Sequence, residues 1–241
     1  FKKENLSLIG TIFTFLIFIF LLPYWFNIRW GIRNTWTILG ITKNNLFRNI
    51  IYFSKGILFS FILITLILIP LLTGNYISWI GEFSPKIFLN SVLLGLGVGF
   101  AEELIFRAWL LEELKIAYGI KIAIASQALI FSFVHPTSNS YLWNGIALRL
   151  GLFLLGIFLS LVRIKDQGSL WKCIGIHGGL VGIWFLINHG LIKFADNTPS
   201  FLVGPFAQNI PNPIGSLFAI LIFIFLCIIY AKTSKNIIFR S

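Results

Sequence analysis

The stretch "IFLNSVLLGLGVGFAEELIFRAWLL", residues 87–111, decides the fold. Its length and apolar content are those of a helix that crosses a bilayer, which needs about 20 consecutive apolar residues. Near its middle stand Glu102, Glu103 and Arg107. Ionisable groups in hydrocarbon are costly and usually face an interior cavity or one another. On a helix, Glu103 and Arg107 are four apart, share a face and can pair. Glu102 is turned ~100° from Glu103 and has no such partner on its own helix. A carboxylate without a built-in partner is a candidate general base.

Outward from this stretch, apolar runs recur at roughly 6–26, 50–72, 119–135, 143–163, 170–190 and 213–231. With 87–111 they predict about seven spans. The composition agrees: 57% of the 241 residues are hydrophobic and 11% charged, with a mean hydropathy of +0.90. Soluble domains average ~45–50% apolar and ~25% charged residues. Membrane barrels need alternating segments of about ten residues, which are absent. The expected fold class is all-α, a polytopic transmembrane helix bundle, and residues 1–241 are expected to form a single integral membrane domain. The fourth run is short and ends at "HP", since Pro136 disfavours helix for the residue before it. Residues 193–212, "KFADNTPSFLVGPFAQNIPN", carry three prolines and read as a loop with a re-entrant piece. No Met is present, so the N-terminus reads as processed or trimmed. Residues 1–25 lack a small-residue cleavage site and read as a retained helix rather than a signal peptide.

The net charge of +11 sits in the loops, as topology requires, and no basic aromatic module for nucleic acid is visible. Lys2, Lys3, Lys86 and Lys193 fall on one side. Arg29, Arg33, Lys43, Arg48, Lys55, Lys115, Lys121, Arg163, Lys165, Lys172, Lys232, Lys235 and Arg240 fall on the other. The positive-inside rule therefore predicts the N-terminus outside and the C-terminus in the cytoplasm. Cys173 and Cys227 lie in apolar runs and imply no disulfide framework. Gly95, Gly97 and Gly99 in the third span, with Gly175, Gly178, Gly179 and Gly182 in the sixth, predict close packing of those two helices.

Two histidines lie on later spans, His135 at the end of the fourth and His177 in the sixth. From Lys115 back to Glu102 is ~20 Å of helix, and from Lys121 forward to His135 ~21 Å, so the two reach the same depth. From Lys172 to His177 is only ~8 Å, which predicts a shallower position. His189 falls near the opposite surface, where capping or interfacial bonding is expected. Glu112 and Glu113 read as a solvated helix end. Arg149 reads as snorkelling outward, and Asn139, Asn144 and Asn188 as local polar contacts. One glutamate and two histidines allow two chemistries. Glu102 with one histidine can deprotonate a water while the other histidine holds an oxyanion. Alternatively, Glu102, His135 and His177 can bind zinc and leave a position for water. No HExxH, GxSxG, Ser-His-Asp, P-loop or GxGxxG arrangement is present.

These residues resemble a known family. "EELIFR" at 102–107 is similar to the EExxxR motif of the CPBP intramembrane proteases, the CAAX-protease and bacteriocin-processing (Abi-type) group. "FSFVH" at 131–135 resembles their FxxxH motif, and "RIKDQGSLWKCIGIH" at 163–177 the approach to their third-motif histidine. The likeness covers roughly 85–190, the expected catalytic core. It implies a cavity among spans three, four and six, open toward membrane and cytosol, and an endopeptidase acting on a peptide or protein substrate, membrane-bound or lipidated. It implies that Glu102 and His135 activate water, that Glu103 and Arg107 support the site, and that His177 helps hold the oxyanion. No cofactor is favoured and zinc is the alternative. Partners are membrane lipids, the substrate and a membrane protein complex. The sequence departs from the family at Ala108, where Gly is usual, and at Val181, where many members have Asn. An apolar side chain cannot donate to an oxyanion, so Val181 favours the alternative of a non-proteolytic membrane partner or scaffold of the same fold.

Overall fold

The computed structural model describes residues 3–136, 142–207 and 210–238; Lys2, Asn139 and Arg240 lie outside them. The elements run α1 (Lys3–Trp30), α2 (Thr35–Ile38), α3 (Leu46–Thr73), β1 (Ile77–Trp79), α4 (Pro85–Glu103), a π-helical segment (Leu104–Leu110), α5 (Leu111–Tyr118), α6 (Ile120–Val134), α7 (Leu142–Lys165), α8 (Trp171–Leu186), a π turn (Ile187–Leu191), β2 (Ile192–Phe194), α9 (Ser200–Val203), β3 (Phe206–Ala207), β4 (Ile210–Pro211), a 3₁₀ turn (Pro213–Gly215) and α10 (Leu217–Ile238). The fold is an all-α polytopic bundle. Among the described residues, six helical stretches are long and apolar enough to cross a membrane, ending with Trp143–Lys165, Trp171–Leu191 and Leu217–Ser234. The expected fourth span is the 15-residue α6. At 1.5 Å per residue it covers ~22 Å, short of ~30 Å of hydrocarbon.

Burial ranks the helices. The most apolar stretches of α7 and α8 are 56% and 61% buried, against 11% for α1 and 17% for α10. Helices α7 and α8 therefore form the centre. The outer helices turn Phe13, Phe20, Phe61, Leu93 and Phe225 outward, a surface suited to lipid rather than water.

Glycines set the approach to α8. A Cβ on Gly99 would lie 2.7 Å from Gly178 Cα, and one on Gly95 2.6 Å from the Gly178 carbonyl. Helix α8 presents a second row to α3: a Cβ on Gly175 would lie 2.3 Å from the Phe53 carbonyl. Successive residues turn ~100°, so Gly178 and Gly182 face α4 while Gly175 and Gly179 face α3. The expected role of Gly97 fails, because it points into open space. Ser60 Oγ donates to the Ile176 carbonyl at 2.7 Å and Ser91 Oγ to Gly182 at 2.9 Å, adding polar ties between helices. Gly99→Val is expected to lower stability by about 1–3 kcal/mol or more through overpacking. Thermal unfolding in detergent micelles checks this, and an unchanged midpoint would refute the close-approach account.

The described residues of 193–212 carry more regular structure than the expected loop. Strand β2 pairs antiparallel with β1, with Ser78 opposite Lys193. Strands β3 and β4 make a second small pair. Trp184 Nε1 donates to the Pro211 carbonyl at 2.8 Å, seating this segment on α8. At the other end of the bundle, residues 31–45 close over the α7–α8 turn. Leu170 N–H donates to the Gly40 carbonyl at 3.1 Å, and Trp171 Nε1 to Ile41 at 2.9 Å.

Candidate active site

Helices α4, α6 and α8 bring together the five side chains singled out by the sequence. Glu103 ends α4, and Arg107 follows within the π segment. Arg107 NH1 lies 3.1 Å from Glu103 Oε1, and both side chains are 0% exposed. The guanidinium also sits over the Phe131 ring, 3.9 Å from its centroid. A buried pair stacked on an aromatic face is better compensated than a pair alone.

Helix α6 stops at Val134, and His135 takes an extended conformation, φ −77° and ψ 130°. Pro136 accounts for that stop. His135 Nδ1 lies 2.7 Å from the Phe131 carbonyl. A carbonyl only accepts, so Nδ1 carries the hydrogen and Nε2 is turned to the site. His135 Nε2 lies 3.3 Å from Glu102 Oε2. His177 repeats the pattern: its Nδ1 is 2.8 Å from Glu103 Oε1, and its Nε2 is 3.7 Å from Glu102 Oε2. Glu102 therefore does not stand alone. One of its oxygens is faced by the Nε2 atoms of both histidines. Glu102 and His135 are 28% and 25% exposed, whereas Glu103, Arg107 and His177 are sealed.

His177 lies level with the glutamates, not shallower. The α7–α8 turn is itself sunk, with Arg163, Ser169 and Leu170 buried beneath residues 31–45. Helix α8 starts below the surface, and six residues in it reaches the site.

Glu112 and Glu113 are not a solvated end. Glu112 pairs with the buried Arg163 at 3.0 Å and with Lys115 at 3.1 Å. Glu113 pairs with Arg29 at 3.1 Å and accepts from Trp25 Nε1, docking α1. His189 Nδ1 donates to the Phe185 carbonyl at 3.0 Å, and Asn188 to Trp184 at 2.9 Å, both far from the site's contacts. Arg149 reaches the Ser132 carbonyl and covers the Phe133 ring. Phe131, the first residue of the FxxxH match, touches Arg107, His135 and His177 at once. One participant has no signal as a single residue: Arg163 reads as one more loop cation.

Among the described residues no group of three His, Cys, Asp or Glu side chains has an arrangement that could hold a metal ion. Glu102, His135 and His177, as they stand here, do not form such a group.

A family model described only as a domain of unknown function matches residues 1–34, the α1 region. No curated protein and no solved structure matches the chain. A second family model, "Type II CAAX prenyl endopeptidase Rce1-like", matches residues 84–183. That segment holds Glu102, Glu103, Arg107, His135 and His177, and its match to the Rce1-like model is consistent with the CPBP/CAAX-protease resemblance of the motifs.

Proposed function

We propose that the chain is an intramembrane endopeptidase of the glutamic type, cleaving a peptide bond near the cytoplasmic face. The observation that carries the reading is the single Glu102 oxygen faced by two histidine Nε2 atoms, 3.3 and 3.7 Å away, from separate helices. A water held there gives its proton to the Glu102–His135 pair as its oxygen bonds to the scissile carbonyl carbon. The carbonyl oxygen takes the negative charge. The C–N bond then breaks, and the same pair returns the proton to the leaving amine, so one water is consumed and two termini form. Glu103, tied to Arg107, holds the His177 ring by its Nδ1–H. With a second proton on Nε2, His177 can donate to the oxyanion, as Val181 cannot.

The substrate is a membrane-bound peptide, prenyl-bearing in the family's description. Orientation follows the basic loops, with the N-terminus outside and the C-terminus in the cytoplasm. Arg29, Arg163, Lys165 and Lys172 all stand at the bundle end where α1 and α7 stop and α8 starts.

The test is cleavage of a prenylated reporter peptide by the purified chain in lipid vesicles. Cleavage is expected, with a rate unchanged by a strong chelator. Loss with chelator and recovery with added zinc would refute the glutamic mechanism. A folded chain that cleaves no reporter would favour the second reading, a non-proteolytic membrane partner, for which Val181 is the specific argument.

A further inference from the structure

Arg163, in the last turn of α7, is 2% exposed and makes no contact with the five site residues' side chains among its recorded partners. Its guanidinium instead joins four segments. NH1 donates to the Arg107 carbonyl and pairs with Glu112 Oε1 at 3.0 Å; NH2 donates to the Ile38 carbonyl at 2.8 Å, and Nε to Gly168 at 3.4 Å. The first contact follows from the π segment. In an α-helix, Leu111 N–H would bond the Arg107 carbonyl, four residues back. Here it bonds the Phe106 carbonyl, five residues back. The Arg107 carbonyl is thereby released from that donor, and Arg163 supplies another.

The π segment at Leu104–Leu110 is wider than an α-helix. Its turn holds one residue more than an α-turn, so its collapse would rotate α4 relative to α5 by ~100°. Helix α5 cannot follow freely, because Glu112 is held by Arg163 and Glu113 by Arg29 and Trp25. Any part of the rotation that fell on α4 would carry Glu102 and Glu103 away from the histidines and disturb the close glycine contacts of α4 with α8. We propose that Arg163 is a positioning residue that keeps the π segment at Leu104–Leu110 open and so sets the angular phase of Glu102 and Glu103 toward His135 and His177. Its kinetic consequence rests on the proteolytic reading; its structural consequence does not.

The test compares wild type with Arg163→Lys, which keeps a charge beside Glu112 but cannot fork to several carbonyls. Backbone hydrogen exchange over residues 104–112 is expected to rise at least ~10-fold in the variant, with residues 46–73 and 171–186 unchanged. With the reporter peptide, kcat is expected to fall about 10²-fold at an unchanged KM, the effect of misplacing catalytic groups without weakening substrate binding. Wild-type exchange and kcat in the variant would overturn the proposal. So would an equal rise in exchange across every helix, which marks a purely structural role. In the wild type, 104–112 should exchange as slowly as 171–186; faster exchange there overturns the proposal whether or not the variant folds. If the wild type cleaves nothing, the proteolytic reading fails, and the exchange measurement alone decides the role of Arg163.

Discussion

Glu102→Gln is expected to lower kcat by about 10³–10⁴-fold, near the upper end of what general-base catalysis supplies. The substitution keeps the volume of the side chain and its place on α4. It removes the carboxylate that faces both Nε2 atoms, at 3.3 and 3.7 Å. The ion pair of the region is made by Glu103 and Arg107, so the stabilising contact stays intact. The thermal midpoint should therefore remain within about 3 °C of wild type, a change of about 1 kcal/mol or less for a chain of this size. His135→Ala is expected to give a similar loss, because its Nε2 shares the task. Steady-state cleavage of the reporter, read beside thermal unfolding, checks both. A purified Glu102→Gln, His135→Ala double variant that still cleaves at a tenth of the wild-type rate would sink the mechanism.

Arg107→Met is expected to act through stability instead, by about 3–5 kcal/mol. The guanidinium and the Glu103 carboxylate are both 0% exposed. Removing the cation leaves a buried carboxylate whose remaining partner is His177 Nδ1 at 2.8 Å. The stacking of the guanidinium on Phe131 is lost as well. Replacing both partners, as Glu103→Leu with Arg107→Leu, should restore most of the stability, since the uncompensated charge is gone. It should not restore cleavage, because His177 would lose the acceptor that orients its ring. Chemical denaturation in detergent micelles measures both variants. A double variant as unstable as Arg107→Met would show that packing, not charge, carries the cost.

The difference between Glu102 and Glu103 was legible in one helix turn. Spacing alone pairs Glu103 with Arg107 and leaves Glu102 to another use. Depth counting brought Glu102 and His135 level, and the structure has them 3.3 Å apart. The same counting put His177 too shallow. It assumed that Lys172 marks the membrane surface, whereas the turn before α8 is buried under residues 31–45. Glu112 and Glu113 were misread for a related reason. Their partners Arg163, Arg29 and Trp25 lie about 50 or more residues away in the chain, and no local pattern announces them.

By itself the sequence determined the bundle, its apolar helices, the helix stop at His135 and the Glu103–Arg107 pair. These depend on the length of apolar runs, on the proline ring and on the 3.6-residue turn, which act within one segment. Only the tertiary structure decided which glycine rows meet, that Gly97 meets none, and that Phe131 lies under three site residues. It alone decided that the helix widens to a π segment beside the glutamates. A widened turn puts its carbonyl to a donor outside the helix, and here that donor is Arg163, 56 residues further along the chain. Such a choice rests on groups that meet only when the helices pack, so it is written in no single stretch of the chain.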